Sequence, residues 1–113
     1  MEKKIEWVGT SLIDLRAFPD QVKDQVGFAL HLAQIGKKHD SAKPFRGLSG
    51  VFEIVSDHHS DTYRAVYAVK LGDKIYVLHA FQKKAKKGIK TPKLEVDIIK
   101  DRFKRAKEIA GIK

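Results

Sequence analysis

Residues 51–81 read VFEIVSDHHSDTYRAVYAVKLGDKIYVLHAF, and the reading of this stretch decides the fold. Apolar side chains recur with a strand-like period in three runs, residues 51–57, 62–70 and 75–81, each rich in β-branched and aromatic residues. Leu71-Gly72-Asp73-Lys74 separates the last two runs, and Gly72 can take positive φ in a two-residue turn. His58-His59 falls at the tip between the first two. A three-stranded antiparallel meander is the simplest topology. Pairing Leu71 with Lys74 places Arg64 opposite Phe81 and Val66 opposite His79, and pairing Asp57 with Thr62 puts Glu53 beside Val66 and Val55 beside Arg64. Glu53, Arg64 and His79 then share one face. The opposite face carries Tyr63, Tyr67, Val69, Tyr76 and Leu78, bulky enough to pack on helices. A slip of one residue in either pair would separate the polar set.

Outside this stretch, residues 5–8 read as a short first strand with Trp7 as its bulky member. Thr10 or Ser11 can cap a short helix carrying Leu12, Ile13, Leu15 and Phe18. Pro19 suits the first turn of a second helix, in which Val22, Val26, Leu30 and Ala33 recur at helical spacing until Gly36 ends it. Residues 37–50 contain Pro44, Gly47 and Gly50, hold no sustained period, and read as a connecting loop. Near the end, Thr91 can cap and Pro92 begin a final helix in which Val96, Ile99, Phe103, Ala106 and Ala110 step by three and four. The order β-α-α-β-β-β-α predicts an α+β sandwich with helices on one sheet face and the other face left available.

The 113 residues and 12.8 kDa suit one domain, residues 1–113. Hydrophobic residues make up 42% and charged residues 33%, a globular balance that argues against a disordered polyelectrolyte. Cysteine is absent, which excludes disulfides, thiolate zinc sites and a cysteine nucleophile. No apolar run approaches the roughly 20 residues that cross a bilayer. The start MEKKIEW lacks the apolar stretch of a signal peptide, so a soluble cytoplasmic protein with no membrane partner is expected.

Net charge is +9, and it is unevenly placed. Residues 1–81 hold 11 basic and 10 acidic side chains, whereas residues 82–113 hold 12 and 4. The densest part, residues 83–93, has six lysines and no acid, directly after an apolar strand. Such a run repels itself unless a polyanion neutralises it, which points to an anionic partner.

A guanidinium, a carboxylate and an imidazole on one sheet face, bordered by lysines, suit phosphodiester chemistry. Arg64 would hold a phosphate bidentately and favour the added charge of the transition state, with Lys83 and Lys84 reinforcing it. Glu53 or His79 could move protons. Lys86, Lys87, Lys90 and Arg46 would bind a polyanionic backbone, which the resemblance given below implies is RNA, and Phe81 at the mouth could pack or stack on a base. The same residues also read as a structural ion pair and a packing histidine. His31 and His39 have no carboxylate or histidine at ligand spacing, so neither a metal nor a cofactor is expected.

Taken in order, Lys43-Pro44-Phe45-Arg46-Gly47-Leu48, Gly50-Val51-Phe52-Glu53-Ile54, Tyr63-Arg64-Ala65-Val66-Tyr67, Leu78-His79-Ala80-Phe81-Gln82-Lys83-Lys84 and Thr91-Pro92 before a basic helix form a recognisable set. The set resembles the RelE/ParE toxin superfamily of bacterial toxin–antitoxin modules, and within it the HigB-like branch of phage-derived toxins. The resemblance implies a RelE-like fold: an N-terminal strand and two helices, a three-stranded antiparallel meander and a C-terminal helix. It also implies a ribosome-dependent endoribonuclease of mRNA, in which the 2′-hydroxyl attacks the adjacent phosphate without a metal. A cognate helix-turn-helix antitoxin would silence it in a toxin–antitoxin heteromer. Carried over by residue, Arg64 matches the arginine expected at the scissile phosphate, Glu53 the recurrent acid, Lys83 and Lys84 the basic segment, and His79 the histidine before the aromatic. The chain departs from many relatives where Val55 follows Ile54 in place of an arginine, and in having no tyrosine after Tyr76. The superfamily also holds DNA gyrase inhibitors, so a ParE-like inhibitor is the alternative reading, with a non-catalytic antitoxin-binding remnant beside it.

Overall fold

The computed structural model describes residues 2–83 and 91–112. Their order is β1 (Lys4–Trp7), α1 (Ser11–Arg16), α2 (Asp20–Gln34), β2 (Ala42–Pro44), β3 (Val51–His58), β4 (Asp61–Leu71), β5 (Lys74–Lys83) and α3 (Lys93–Ile109). The five strands form one sheet in the order β1-β5-β4-β3-β2. β3, β4 and β5 are the expected antiparallel meander. At one edge β1 lies parallel to β5, with Lys4 beside Lys74; at the other, β2 pairs antiparallel with β3. β2 lies inside the stretch expected to be a loop, because three residues are too few to display a period.

α2 buries Val22, Val26, Ala29, Leu30 and Ala33, one stripe at helical spacing, against Ile54, Ala65, Tyr67, Ile75 and Val77 of the sheet. It stops where Gly36 turns to φ 81°. There the Lys37 N–H donates to Leu32 O and the Gly36 N–H to Ala33 O, so the final carbonyls are satisfied by a left-handed cap. Pro19 stands just before the helix rather than within its first turn.

The second sheet face is not open. Ile99 and Ala106 of α3 are fully buried against Val66, Ala68, Tyr76, Leu78 and Phe81, with Val96 and Phe103 packed alongside. The expectation of helices on one face only is therefore corrected: α1 and α2 cover one face and α3 covers the other. The physical reason lies in the strands. Both faces of β4 and β5 are apolar through most of their length, and leaving Val66, Ala68, Leu78 and Phe81 in water would forfeit roughly 1.5–3 kcal/mol for each large side chain.

The β4–β5 ladder contains two irregularities. Val66 faces His79 but Tyr67 faces Val77, so Leu78 is the extra residue of a bulge; a second shift lies between Ala68 and Leu71. Counted from the turn, the two shifts cancel, which is why Arg64 still meets Phe81 as expected from an uninterrupted ladder. Between the shifts the faces exchange. Tyr76 and Leu78, expected beside Tyr63 and Tyr67, instead pack under α3.

Candidate active site

The bulge matters because it turns His79 and Phe81 to the α3 side of the sheet, where Glu53 and Arg64 also point. Glu53 lies opposite Val66, which lies opposite His79, and Arg64 is two pairs further along, on the same face, between Val55 and Phe81. Glu53 and Arg64 are thus diagonal neighbours, and the Arg64 Nη1 donates to Glu53 Oε1 at 3.0 Å. Their side chains are only 5% and 12% exposed. A pair this dry pays a desolvation cost that the Coulomb attraction offsets only with further hydrogen bonds. Thr91 supplies them: its hydroxyl donates to Glu53 Oε2 at 2.9 Å and accepts from Arg64 Nη1 at 3.3 Å.

His79 is held on both ring nitrogens. Nε2 lies 2.8 Å from Glu95 Oε1 in the first turn of α3, and Nδ1 lies 3.2 Å from Arg102 Nη1 about two turns further along the helix. Phe81 stacks on the imidazole with ring centroids 4.9 Å apart. Lys83, buried at the end of β5, stands opposite Thr62 on the same face as Arg64.

The structure therefore brings Glu53, Arg64, His79, Phe81 and Lys83 to one face, as expected, but beneath a helix. Phe81 is buried against His79 rather than standing at a mouth. Arg46 is exposed in the turn after β2 and shares no hydrogen bond with the described members of the group. Lys84, Lys86, Lys87 and Lys90 lie outside the described residues. Among those described, no three His, Asp or Glu side chains come together as a metal-binding set. No helix of the described chain is long and apolar enough to cross a membrane.

Three residues of this group escaped the sequence reading. Thr91 was expected to cap the last helix, but Pro92 occupies the cap position and the Thr91 hydroxyl turns to the ion pair instead. Glu95 and Arg102 look like ordinary members of a charged helix. The available signal was their spacing: Glu95 precedes Ile99 by four residues and Arg102 follows it by three, so all three share one face. With α3 seated, the carboxylate, guanidinium and imidazole of the sheet are each bonded to a side chain from residues 91–102. An anion entering between Arg64 and His79 must displace Thr91 and Glu95, and Glu95 already stands at His79 Nε2 as a carboxylate, the charge type such an anion would carry.

Residues 13–104 match the family model described as "Phage derived protein Gp49-like". No curated protein matches the chain. Among solved structures, it is similar to a free-state, doubly substituted mutant of the E. coli toxin RelE, with a TM-score of 0.62 and 16% identity. That match covers 93% of this chain and 98% of the E. coli chain, so the two share their fold over most of their lengths. With a family match over most of its length, the chain belongs to the phage-derived Gp49-like family, and its fold is that of RelE.

Proposed function

We propose that the protein is the toxin of a toxin–antitoxin pair and a metal-independent endoribonuclease that cuts mRNA on the ribosome in the cytoplasm. The observation that carries this reading is the convergence of Arg64, Glu53, His79 and Lys83 on one sheet face at the N-terminal end of α3. Arg64 and Lys83 would hold the non-bridging phosphoryl oxygens. Glu53 or His79 would take the 2′-hydroxyl proton as the 2′-oxygen bonds to phosphorus and the bond to the 5′-oxygen breaks, leaving a cyclic phosphate and a 5′-hydroxyl. Lys84, Lys86, Lys87, Lys90 and Arg46 would track the RNA backbone by charge.

Access requires the Thr91–Glu95 segment to move. Withdrawal of Thr91 frees Glu53 Oε2, and withdrawal of Glu95 frees His79 Nε2, so one displacement presents both groups. The partner that silences such a basic surface is an antitoxin with acidic or apolar segments, in keeping with the helix-turn-helix antitoxins of the branch.

The test is to map 5′ ends of messages shortly after induction. Wild-type protein is expected to produce new 5′-hydroxyl ends within translated frames, and a folded Arg64→Lys protein to produce them at least tenfold less often, because lysine offers a point charge without the planar fork. Gyrase-cleaved DNA with intact messages would replace this reading with the inhibitor one.

A further inference from the structure

The partners of His79 bear on which ring nitrogen carries its proton. An arginine has five donors and no acceptor, so Nη1 of Arg102, 3.2 Å from Nδ1, requires a lone pair on that nitrogen. The ring proton then sits on Nε2, where Glu95 Oε1 accepts it at 2.8 Å. Arg102 is itself fixed from several sides. Its Nη1 also donates to the Leu78 carbonyl at 3.1 Å, the bulge residue next to His79, and its Nη2 donates to Thr10 Oγ1 at 3.0 Å. The β1–α1 turn is shaped to receive it: Gly9 has φ 60°, and a Cβ there would lie 2.7 Å from the guanidinium Nε. A helix arginine, a strand bulge and a glycine turn are thus built around one imidazole nitrogen.

From this juxtaposition we infer that Arg102 is a positioning residue that holds His79 as the neutral Nε2–H tautomer, so that His79 serves the reaction as a hydrogen-bond donor to the phosphate and not as its base. The inference rests on the nuclease reading for its role and on geometry alone for the tautomer. It assigns the proton transfer left open above. Glu53 takes the 2′-hydroxyl proton, the 2′-oxygen bonds to phosphorus, and the 5′-oxygen leaves and draws its proton from water. His79 Nε2–H donates throughout to an oxygen of the reacting phosphate and gives up no proton. Neutral imidazole is a very weak acid but a well-aimed donor, and a fixed donor lowers the barrier wherever negative charge grows. Glu95 holds the donor's place until the phosphate arrives. Phe81, stacked on the ring, and Val66, opposite His79 across the ladder, are its apolar neighbours, so Glu95 and Arg102 are the charged groups bonded to it.

The test reads the tautomer directly, by imidazole 15N shifts and ring-proton correlations of the full chain, with His79 assigned from a His79→Gln protein. Wild type is expected to show a protonated Nε2 and a bare Nδ1. In a Glu95→Leu background, where no carboxylate selects Nε2–H, Arg102→Met should mix the two tautomers, and Arg102→Lys, which restores a cationic donor, should return the wild-type pattern. In single-turnover cleavage of ribosome-bound message, Arg102→Met should slow the chemical step about 10- to 100-fold with little change in binding. His79→Leu should cost about 100-fold or more, and His79→Gln, which keeps an N–H donor, should recover part of the rate. A proton on Nδ1 in the wild type, or a tautomer unmoved when Arg102→Met is added to Glu95→Leu, overturns the positioning role. A rate unmoved in Arg102→Met, or equal in His79→Gln and His79→Leu, overturns the donor role. Absence of cleavage by wild type with the expected tautomer defeats the nuclease reading and leaves the Arg102–His79 arrangement standing.

Discussion

Replacing Arg64 with alanine separates the two things an ion pair can do. In the folded protein Glu53 is only 12% exposed, and Arg64 Nη1 at 3.0 Å is the cation it bonds. Without Arg64 the carboxylate keeps the Thr91 hydroxyl on Oε2 but loses its counter-charge, and stranding one member of a buried pair costs about 3–5 kcal/mol. Taking about 3 kcal/mol, since one hydrogen bond remains, and a urea slope of about 1.5 kcal/mol/M, the unfolding midpoint should fall by about 2 M. The double substitution Glu53→Met with Arg64→Met removes both charges and fills the space with apolar atoms. Its midpoint should return close to the wild-type value or exceed it, because apolar replacements of buried pairs are commonly neutral or stabilising. Cleavage should be absent from both proteins. Urea melts followed by circular dichroism, with 5′-end mapping on the same proteins, give the two readouts. A double variant as unstable as Arg64→Ala would refute the stranded-charge argument, and cleavage by the well-folded double variant would remove the pair from the chemistry.

Two further outcomes follow from single positions. Gly9→Ala puts a methyl 2.7 Å from the Arg102 guanidinium on a backbone at φ 60°, so it should displace Arg102, cost about 1–3 kcal/mol, and lower the Tm by several degrees in a calorimetric scan; an unshifted Tm would contradict the tight fit. Burial pushes the Tyr67 hydroxyl up from 10 to about 12, so the unfolded chain releases this proton near pH 10 while the folded chain keeps it to about pH 12. The folded state gains from this difference nothing above pH 12 and loses about 2–3 kcal/mol relative to pH 9 as the pH climbs between those values. Urea midpoints at pH 9 and 11 should show about half of this loss in wild type and a smaller one in Tyr67→Phe.

The parts of the fold legible in the sequence are those set by neighbours in the chain. The Gly72-Asp73 turn and the flanking apolar runs define the β4–β5 hairpin, and Val22, Val26, Leu30 and Ala33 define α2. What was not legible depends on partners far away. The spacing of Val96, Ile99, Phe103 and Ala106 marks a buried stripe, but periodicity names no surface for it to meet, so α3 was expected on the wrong side. β1 shows its strand character but not its parallel partner, because nothing local to residues 4–7 encodes β5. For the site, Glu53, Arg64 and His79 were brought together correctly by an uninterrupted register, although the ladder reaches it through two compensating shifts. Thr91, Glu95 and Arg102 were hidden because a helix dense in charge disguises the few side chains that turn inward.

The parallel pairing of β1 with β5 has a consequence for birth rather than for action. As the chain emerges N-terminus first, its opening strand must wait for residues 74–77 before it can dock, some seventy positions later. Long-range pairings of this kind slow folding, since the intervening loop must close before any contact rewards it. α3 follows later still and finishes the second layer. A nascent chain therefore spends the longest part of its synthesis without the face on which Glu53, Arg64 and His79 meet, and that face is assembled only once β5 and α3 have been made.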